Sequence, residues 1–522
     1  MIKYKTNHKY VHMHTEATRK PDMQKQKHTT VQTALDDLPY GPPDSPDAHG
    51  PVRKAAVPQG VSKRRLLSDV TLIAWPSFVE LVLTQLTSMA DQVMVGQMPG
   101  AEGVMGLTAV GLASMPKFLL MTMVIAMNVG TTAVVARSRG QQDQKKANQV
   151  FKQAMLLNLI MSIGLMLVGL ACSEWLIRFM SASGIAEQTL QYGVEYLNIQ
   201  LYGFVPVCLA ATVTAALRGV GDTKTPMVYN TVANVVNIIM NYALIYGKLG
   251  CPAMGVAGAS LATIIGQFVA FVIAMTVAFG KKHYLYVDLR EKFTFNRQIM
   301  KDVTSIGLPS MIEQLIMRAG IIVFLRTVAS LGDTMYATHQ IVMNIQSMSF
   351  MVGQAFGNSS TTLMGQSLGK RRYDMAAVYM HKTRQVGFWV SVVLMVLMAV
   401  FSRQLIMLYN STPEVVEMGA GLMLVVAAMQ PIQCGQFIVS GGLRGVGDTR
   451  YNAMVVLITT LGVRAILSVI AVYVLQWGLW GAWIALFADQ GLRSILILRR
   501  YRTGKWKEQL AKRTAHETAK AA

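Results

Sequence analysis

The sequence predicts an all-α integral membrane protein of twelve transmembrane helices in two related sets of six. Three observations predict it. Only 14% of the 522 residues are charged and 52% are apolar, with a mean hydropathy of +0.37, whereas a soluble chain of this length would carry about 25% charged residues. Apolar stretches of about 20 residues or more recur between Val70 and Leu498, each long enough to cross a hydrocarbon core of about 30 Å. Finally, the string LRGVGDT occurs twice, at Leu217–Thr223 and Leu443–Thr449, each time closing an apolar run. An identical string so far apart indicates duplication.

Other signals repeat with it. Trp75-Pro76-Ser77 with Glu80 is matched by Leu308-Pro309-Ser310 with Glu313, and Ser138-Arg139-Gly140 by Ser367-Leu368-Gly369. The offsets of the three matches are 226, 233 and 229 residues. Duplicated membrane halves are the mark of a secondary transporter whose path runs between them.

The first six spans are expected at 70–96, 105–136, 151–172, 188–217, 226–246 and 255–279. The second six are expected at 303–329, 337–366, 386–408, 417–442, 452–474 and 479–498. The runs are apolar on all sides, which suits helices and not the alternating strands of a barrel. Pro76, Pro116, Pro206, Pro309 and Pro431 lie inside spans or near their starts, where each removes a backbone donor and can bend its helix. Spans above about 25 residues should tilt or project.

These limits divide the chain into a tail (1–64), a first lobe (65–280), a connector (281–301), a second lobe (302–498) and a basic tail (499–522). The first tail is rich in Lys, His, Pro, Asp and Gln and reads as disordered and cytoplasmic. Its His8, His12 and His14 read as incidental. There is no cleavable leader pattern, so the first span is expected to stay as an anchor.

Loop charge sets the orientation. Nineteen Lys and Arg fall on one set of loops, from Arg137 through Arg218, Lys224, the connector and Lys370-Arg371-Arg372 to Arg444 and Arg450. About three, Arg178, Lys248 and Arg403, fall on the other. The rich side is expected to be cytoplasmic, with both termini inside a multi-pass plasma (inner) membrane protein. Scattered in loops, the net charge of +21 forms no continuous nucleic-acid face. The four cysteines lack CxxC spacing and read as apolar fillers. No GxxxxGK[ST] string is present, which argues against an ATP-driven pump. The chain is read as no enzyme and as needing no cofactor. The 36 Met suit either a pliable cavity wall or plain lipid contact.

Polar residues inside spans are costly and usually face a cavity or a partner. Asp91, late in the first span, has nothing basic within one or two turns and could exchange a proton or coordinate Na+; capping a short external helix is the plainer role. Asn230, Asn234, Asn237 and Asn241 share one face of the fifth span, where Asn also serves ordinary interhelical hydrogen bonding. Ser260, Thr263 and Gln267 lie on one side of the sixth. Further candidates for the cavity or for coupling are Glu80, Gln85, Glu313, His339, Gln340 and Asn344. Glu80 and Glu313, each four residues after a proline, could instead serve the helix kink. His339 titrates near neutrality but could equally be a packing residue. Asp489 and Arg493 stand i, i+4 and could simply pair.

Together these features resemble the MATE family of multidrug and toxic-compound extrusion transporters, bacterial type, over about residues 65–500. The resemblance rests on ADQVMVGQM around Asp91, LRGVGDTKTPM closing the fourth span, and ATHQIVMNIQSMSFMVGQAFGNSSTTLMGQSLG at 337–369. It implies two six-helix lobes related by a pseudo-two-fold axis around a central cleft. It implies a monomeric antiporter in the bilayer that exports small amphipathic, often cationic, organic compounds in exchange for H+ or Na+. It matches Asp91 to the family's cation-coupling carboxylate and Asn237 and Asn241 to a polar pair in the fifth span. Some proton-linked members have Asp at the second of these positions. Met317 stands where the Na+-linked branch has a Glu. A proton site needs Asp91 alone; Na+ would want the oxygens of Asp91, Asn237, Asn241 and Thr263. The balance leans to H+. The rival reading is a flippase or exporter of lipid-linked or polar metabolites, which Arg318, Arg326 and Arg464 keep open if they face the cavity.

Overall fold

The repeated string shows how the chain turns from one helix to the next at two matching places. In the computed structural model, which describes residues 32–41, 51–52, 57–99, 101–181, 186–288, 290–291, 293–410 and 412–507, each copy of LRGVGDT stops one helix and starts the next. Gly221 and Gly447 take φ of 89° and 83°, a left-handed geometry that a side chain disfavours. Immediately after the first of them, Asp222 accepts the Thr225 amide at 3.1 Å and so caps the following helix.

All regular structure among the described residues is helical. The first half comprises α1 (Lys63–Gly96), α2 (Ala101–Gly140), α3 (Gln144–Ala171), the short α4 (Ser173–Met180), α5 (Glu187–Tyr202), α6 (Phe204–Val220), α7 (Lys224–Tyr246) and α8 (Gly255–Phe279). The second comprises α9 (Arg297–Ala329), α10 (Asp333–Gly369), α11 (Tyr373–Val400), the short α12 (Ser402–Met407) and α13 (Pro413–Gly445). It ends with α14 (Thr449–Val456), α15 (Ile466–Val469) and α16 (Gly478–Arg502). Between α14 and α16, the π-helical turns Leu457–Ala465 and Ile470–Val474 join α14 and α15 into one continuous stretch, Thr449–Val474.

Ten helices among the described residues are long and apolar enough to cross a membrane, and the chain is a multi-pass membrane protein. An eleventh span arises if α5 and α6, bent by 52°, count as one. The bend falls at Gly203, three residues before Pro206, whose missing N–H leaves a carbonyl of the preceding turn without its helical partner. The expected eighth span differs from the sequence reading. It is a helix of 37 residues, α10, but its Gln, Asn, Ser and Thr content keeps it out of the ten. Helix starts also lie several residues before the expected limits, because caps extend them: Ser62 caps α1, Asp143 caps α3 and Asn296 caps α9.

The first helix of each half packs on the second helix of the other, α1 on α10 and α9 on α2. The far ends of α2 and α10 meet at the repeat-equivalent glycines. A Cβ on Gly140 would lie 2.0 Å from the Gln366 carbonyl oxygen, and one on Gly369 would lie 2.0 Å from that of Arg137. Backbone meets backbone there, which explains why both copies of the signal end in Gly.

The tail reading needs one correction. His8, His12 and His14 lie outside the described residues, but residues 32–41 are packed where disorder was expected. Ala34 and Leu35 are buried in the core beside Tyr379 and Leu368. The Ala34 amide and the Tyr379 hydroxyl both donate to Asp69, at 2.8 and 2.7 Å. Lys370 donates to the carbonyls of Leu35 and Asp36 at 2.6 and 3.0 Å. Tyr40 reaches the Gln141 carbonyl in the first half. Composition could not show this, since two apolar residues and a few carbonyls are enough to dock the segment. Likewise Trp506, in the expected basic tail, is buried and stacks on Tyr501.

Candidate functional site

Two polar centres stand out. The first surrounds Asp91, half-buried near the end of α1. From α7, Asn241 donates to the Asp91 carboxylate at 2.5 Å and to Asn237 at 3.2 Å. The spacing of four puts both amides on one helical face, and both are buried. Thr263 of α8 also hydrogen-bonds to the carboxylate, while its hydroxyl lies 3.0 Å from the Ala259 carbonyl. The four residues that the sequence grouped, Asp91, Asn237, Asn241 and Thr263, are thus brought together from three helices. The carboxylate is thus met by the Asn241 amide nitrogen and the Thr263 hydroxyl, with the Asn237 oxygen turned to Asn241; a carboxylate in such a polar setting among apolar helices is one that can take up a proton or a small cation.

A residue the sequence reading missed joins them. Lys117, one position after Pro116 in α2, stands within electrostatic reach of Asp91 and donates to the Gln200 side chain at 2.7 Å. Gln200 in turn donates to the Ser260 carbonyl at 3.2 Å. A lone Lys inside an apolar span was the available signal, since such a charge normally faces a cavity or a partner.

The second centre repeats with the sequence. In the first half Arg218 pairs with Glu80 at 2.7 Å; in the second Arg444 pairs with Glu313. Both glutamates are buried, at 6% and 2% exposure. Arg218 and Arg444 are the arginines of the two LRGVGDT copies, and Glu80 and Glu313 are the carboxylates of the two Pro-Ser signals. The two repeat motifs are therefore each other's partners. Hydrogen bonds follow the same correspondence: Thr132 donates to the Ala215 carbonyl at 2.9 Å, and Thr361 to that of Gly441 at 2.8 Å. The sequence reading counted Arg218 and Arg444 among the loop charges. They sit instead in the last turns of α6 and α13, with side chains 19% and 20% exposed.

The copies differ at one position. Asn230 donates to the second oxygen of Glu80 at 2.6 Å. Its repeat equivalent is Val456, and the second oxygen of Glu313 has no partner. Glu80, Arg218, Asn230 and Arg444 line a cavity of about 400 Å³ between the halves. Met121, Ile125, Val129 and Val207 supply apolar wall, and Asn358 and Thr361 of α10 contribute from the second half.

The remaining candidates scatter. Gln85 is half-buried on α1, and the buried amide nitrogen of Asn234 lacks a partner. His339 is 1% exposed between the rings of Phe324 and Trp483, each 5.6 Å away, which is a packing position. Gln340 and Asn344 are exposed and do not line the cavity. Arg318 lies over the Phe118 ring at 4.0 Å, and Arg326 is exposed. Arg464 does not face the cavity. It and Arg493 both bind Asp489 in a buried cluster, and Arg493 also donates to Thr459 and Thr460 on the π-helical turn, at 3.1 and 2.6 Å.

The same family model, MatE, matches both halves, over residues 76–243 and 309–470. A "Probable multidrug resistance protein NorM" of Thermotoga maritima is 29% identical over 84% of this chain and 93% of its own length. The "Multidrug resistance protein MdtK" of Yersinia pestis is 30% identical over 71% of this chain and 81% of its own. A solved structure described as the outward-facing conformation of a multidrug resistance MATE family transporter shares the fold, with a TM-score of 0.77 at 22% identity, covering 88% of this chain and all of that one.

Proposed function

Because the chain belongs to the MatE family, we propose that it is a secondary active antiporter exporting amphipathic organic compounds, cationic ones among them, in exchange for H+ or Na+. The observation that carries this is the Asp91 centre, where one carboxylate, two amides and a hydroxyl from α1, α7 and α8 meet inside the membrane region. A group that gains and loses a cation there can bias which side of the protein is open, and that bias is what couples an ion gradient to a drug. Multidrug relatives of 29–30% identity support the export of organic compounds.

In this reading six helices of each half form a lobe, α5 and α6 act as one span, and α10 crosses despite its polarity because it is packed against α13, α2 and α1. The protein works as a monomer in the plasma membrane, with the basic loops cytoplasmic. Cysteines placed at 141–146 should then resist impermeant thiol reagents added outside intact cells; labelling there would reverse the orientation.

H+ is the preferred coupling ion, because a proton needs the Asp91 carboxylate alone, whereas Met317 stands where the Na+-linked branch of the family carries a Glu. Drug uptake into inverted vesicles, with pH and Na+ gradients imposed separately, tests the reading. Uptake should follow the pH gradient. Uptake under Na+ alone would reassign the ion, and uptake under neither would end the antiporter reading. The flippase alternative draws its support from Arg218 and Arg444 on the cavity wall, not from the arginines that the sequence suggested.

A further inference from the structure

Near the start of α11 and the end of α16, basic side chains gather with no acid among them. Lys382, Arg384 and Arg502 line a cavity of about 810 Å³, with Val52, Val57 and Phe388 as apolar wall. The Val52 amide donates to the Arg502 carbonyl at 3.0 Å, which fixes that wall to α16. Arg384 is half-buried, and it and Arg502 act on each other as like charges. Among the described residues, none of the three basic side chains forms an ion pair. The contrast is close by: Arg500, on the same helix end, is paired with Asp448 at 2.7 Å. Like charges crowded beside one cavity repel, and an anion placed among them offsets that repulsion.

The cluster adjoins apolar surface suited to lipid. Arg384 lies one turn, about 6 Å along the axis, before Phe388 on α11. The Phe388 and Trp389 rings are 48% and 61% exposed and 5.7 Å apart. Exposed aromatic rings near the end of a span mark the level where membrane meets water. A second cavity, of about 370 Å³, shares Lys382 and Gln385 with the first and adds Lys63 and Arg64 from the start of α1, with Leu67 and Trp389 beside them. Three helix ends thus offer positive charge and apolar surface side by side.

We propose that this basic cavity binds the phosphodiester headgroup of an acidic phospholipid, whose acyl chains run over Phe388 and Trp389. A guanidinium presents a planar fork that matches phosphate oxygens, and basic pockets between helix ends take acidic headgroups. Free phosphate shares the charge of the headgroup but not its chains, so it would leave the aromatic rings uncovered. Binding here needs neither an ion gradient nor a drug, and it stands apart from the antiporter reading.

The test is calorimetric titration of the delipidated full-length protein, in uncharged detergent micelles, with three probes. Dioctanoylphosphatidylglycerol carries the charge and the chains, dioctanoylphosphatidylcholine the chains without net charge, and inorganic phosphate the charge without chains. The phosphatidylglycerol should bind at least about tenfold tighter than either of the others, the size expected when two arginines meet one acidic headgroup. Arg384→Gln/Arg502→Gln should bring the two lipids to about equal affinity. Neither arginine holds a carboxylate, so this variant orphans no acid and should unfold at the same temperature as the unaltered protein. Lys248→Gln/Arg403→Gln, which removes the same charge from exposed positions on the opposite loops, should keep the full preference. Equal affinity for the two lipids in the unaltered protein, or binding of neither, overturns the proposal. Phosphate binding as tightly as phosphatidylglycerol also overturns it, since the ligand would then be a soluble anion. So does a preference that survives Arg384→Gln/Arg502→Gln, or one that falls equally in Lys248→Gln/Arg403→Gln.

Discussion

Asp91→Asn is expected to abolish gradient-driven efflux while leaving folded protein in the membrane. The substitution keeps the shape of the side chain and its ability to meet the Asn241 amide. It removes the two things a coupling site needs: a charge that can be neutralised, and a strong cation ligand. Coupling free energies of about 1–3 kcal/mol correspond to about 5- to 150-fold in linked affinity, so loss of the carboxylate should lower gradient-dependent dye export by at least about tenfold. Asn237→Ala should cost less, because it removes one neutral ligand. Dye accumulation in cells and gradient-driven transport in vesicles both read the effect. Export at the unaltered rate would make Asp91 structural and move attention to the glutamate pairs.

The second large effect is expected at Arg444. Glu313 is 2% exposed and its hydrogen-bonding partner is Arg444, so Arg444→Met leaves a buried carboxylate without compensation. Breaking a buried pair from one side costs about 3–5 kcal/mol, whereas removing both partners together is often close to neutral. Arg444→Met should therefore lower the unfolding temperature sharply, and Glu313→Gln/Arg444→Met should recover most of the loss. The first half offers an internal control. Arg218→Met leaves Glu80 with Asn230 as a partner at 2.6 Å, so its loss should be smaller. Equal losses at the two arginines would show that Asn230 contributes nothing to holding Glu80.

Much of this was legible in the chain. Long apolar runs predict helices because a lipid-exposed backbone must satisfy its own hydrogen bonds. The asparagine ladder and Asp91 were readable because polar groups in such runs are costly enough to demand a reason. Identical strings exposed the duplication directly. What stayed hidden was pairing across space. Glu80 and Arg218 are 138 positions apart, and an arginine at a span end looks the same whether it faces a loop or a cavity. Lys117 was passed over because one charge barely alters a span of 36 residues. His339 showed the reverse: its titratable ring drew attention, yet two aromatic neighbours make it part of the packing. The docking of residues 32–41 depends on backbone carbonyls meeting Lys370, and carbonyls have no signature in sequence.

The glycine seam between α2 and α10 has a consequence for what parting the two helices there would expose. Parting two surfaces built of large apolar side chains would expose them at about 25 cal/mol per Å². At Gly140 and Gly369 there are no side chains to expose, so separation there uncovers mainly peptide groups that water solvates well. The hydrophobic penalty of parting these two contacts is therefore small, although the fit is close when shut. Contacts of this kind hold by shape, and any motion that parts them does so there with little wetting cost.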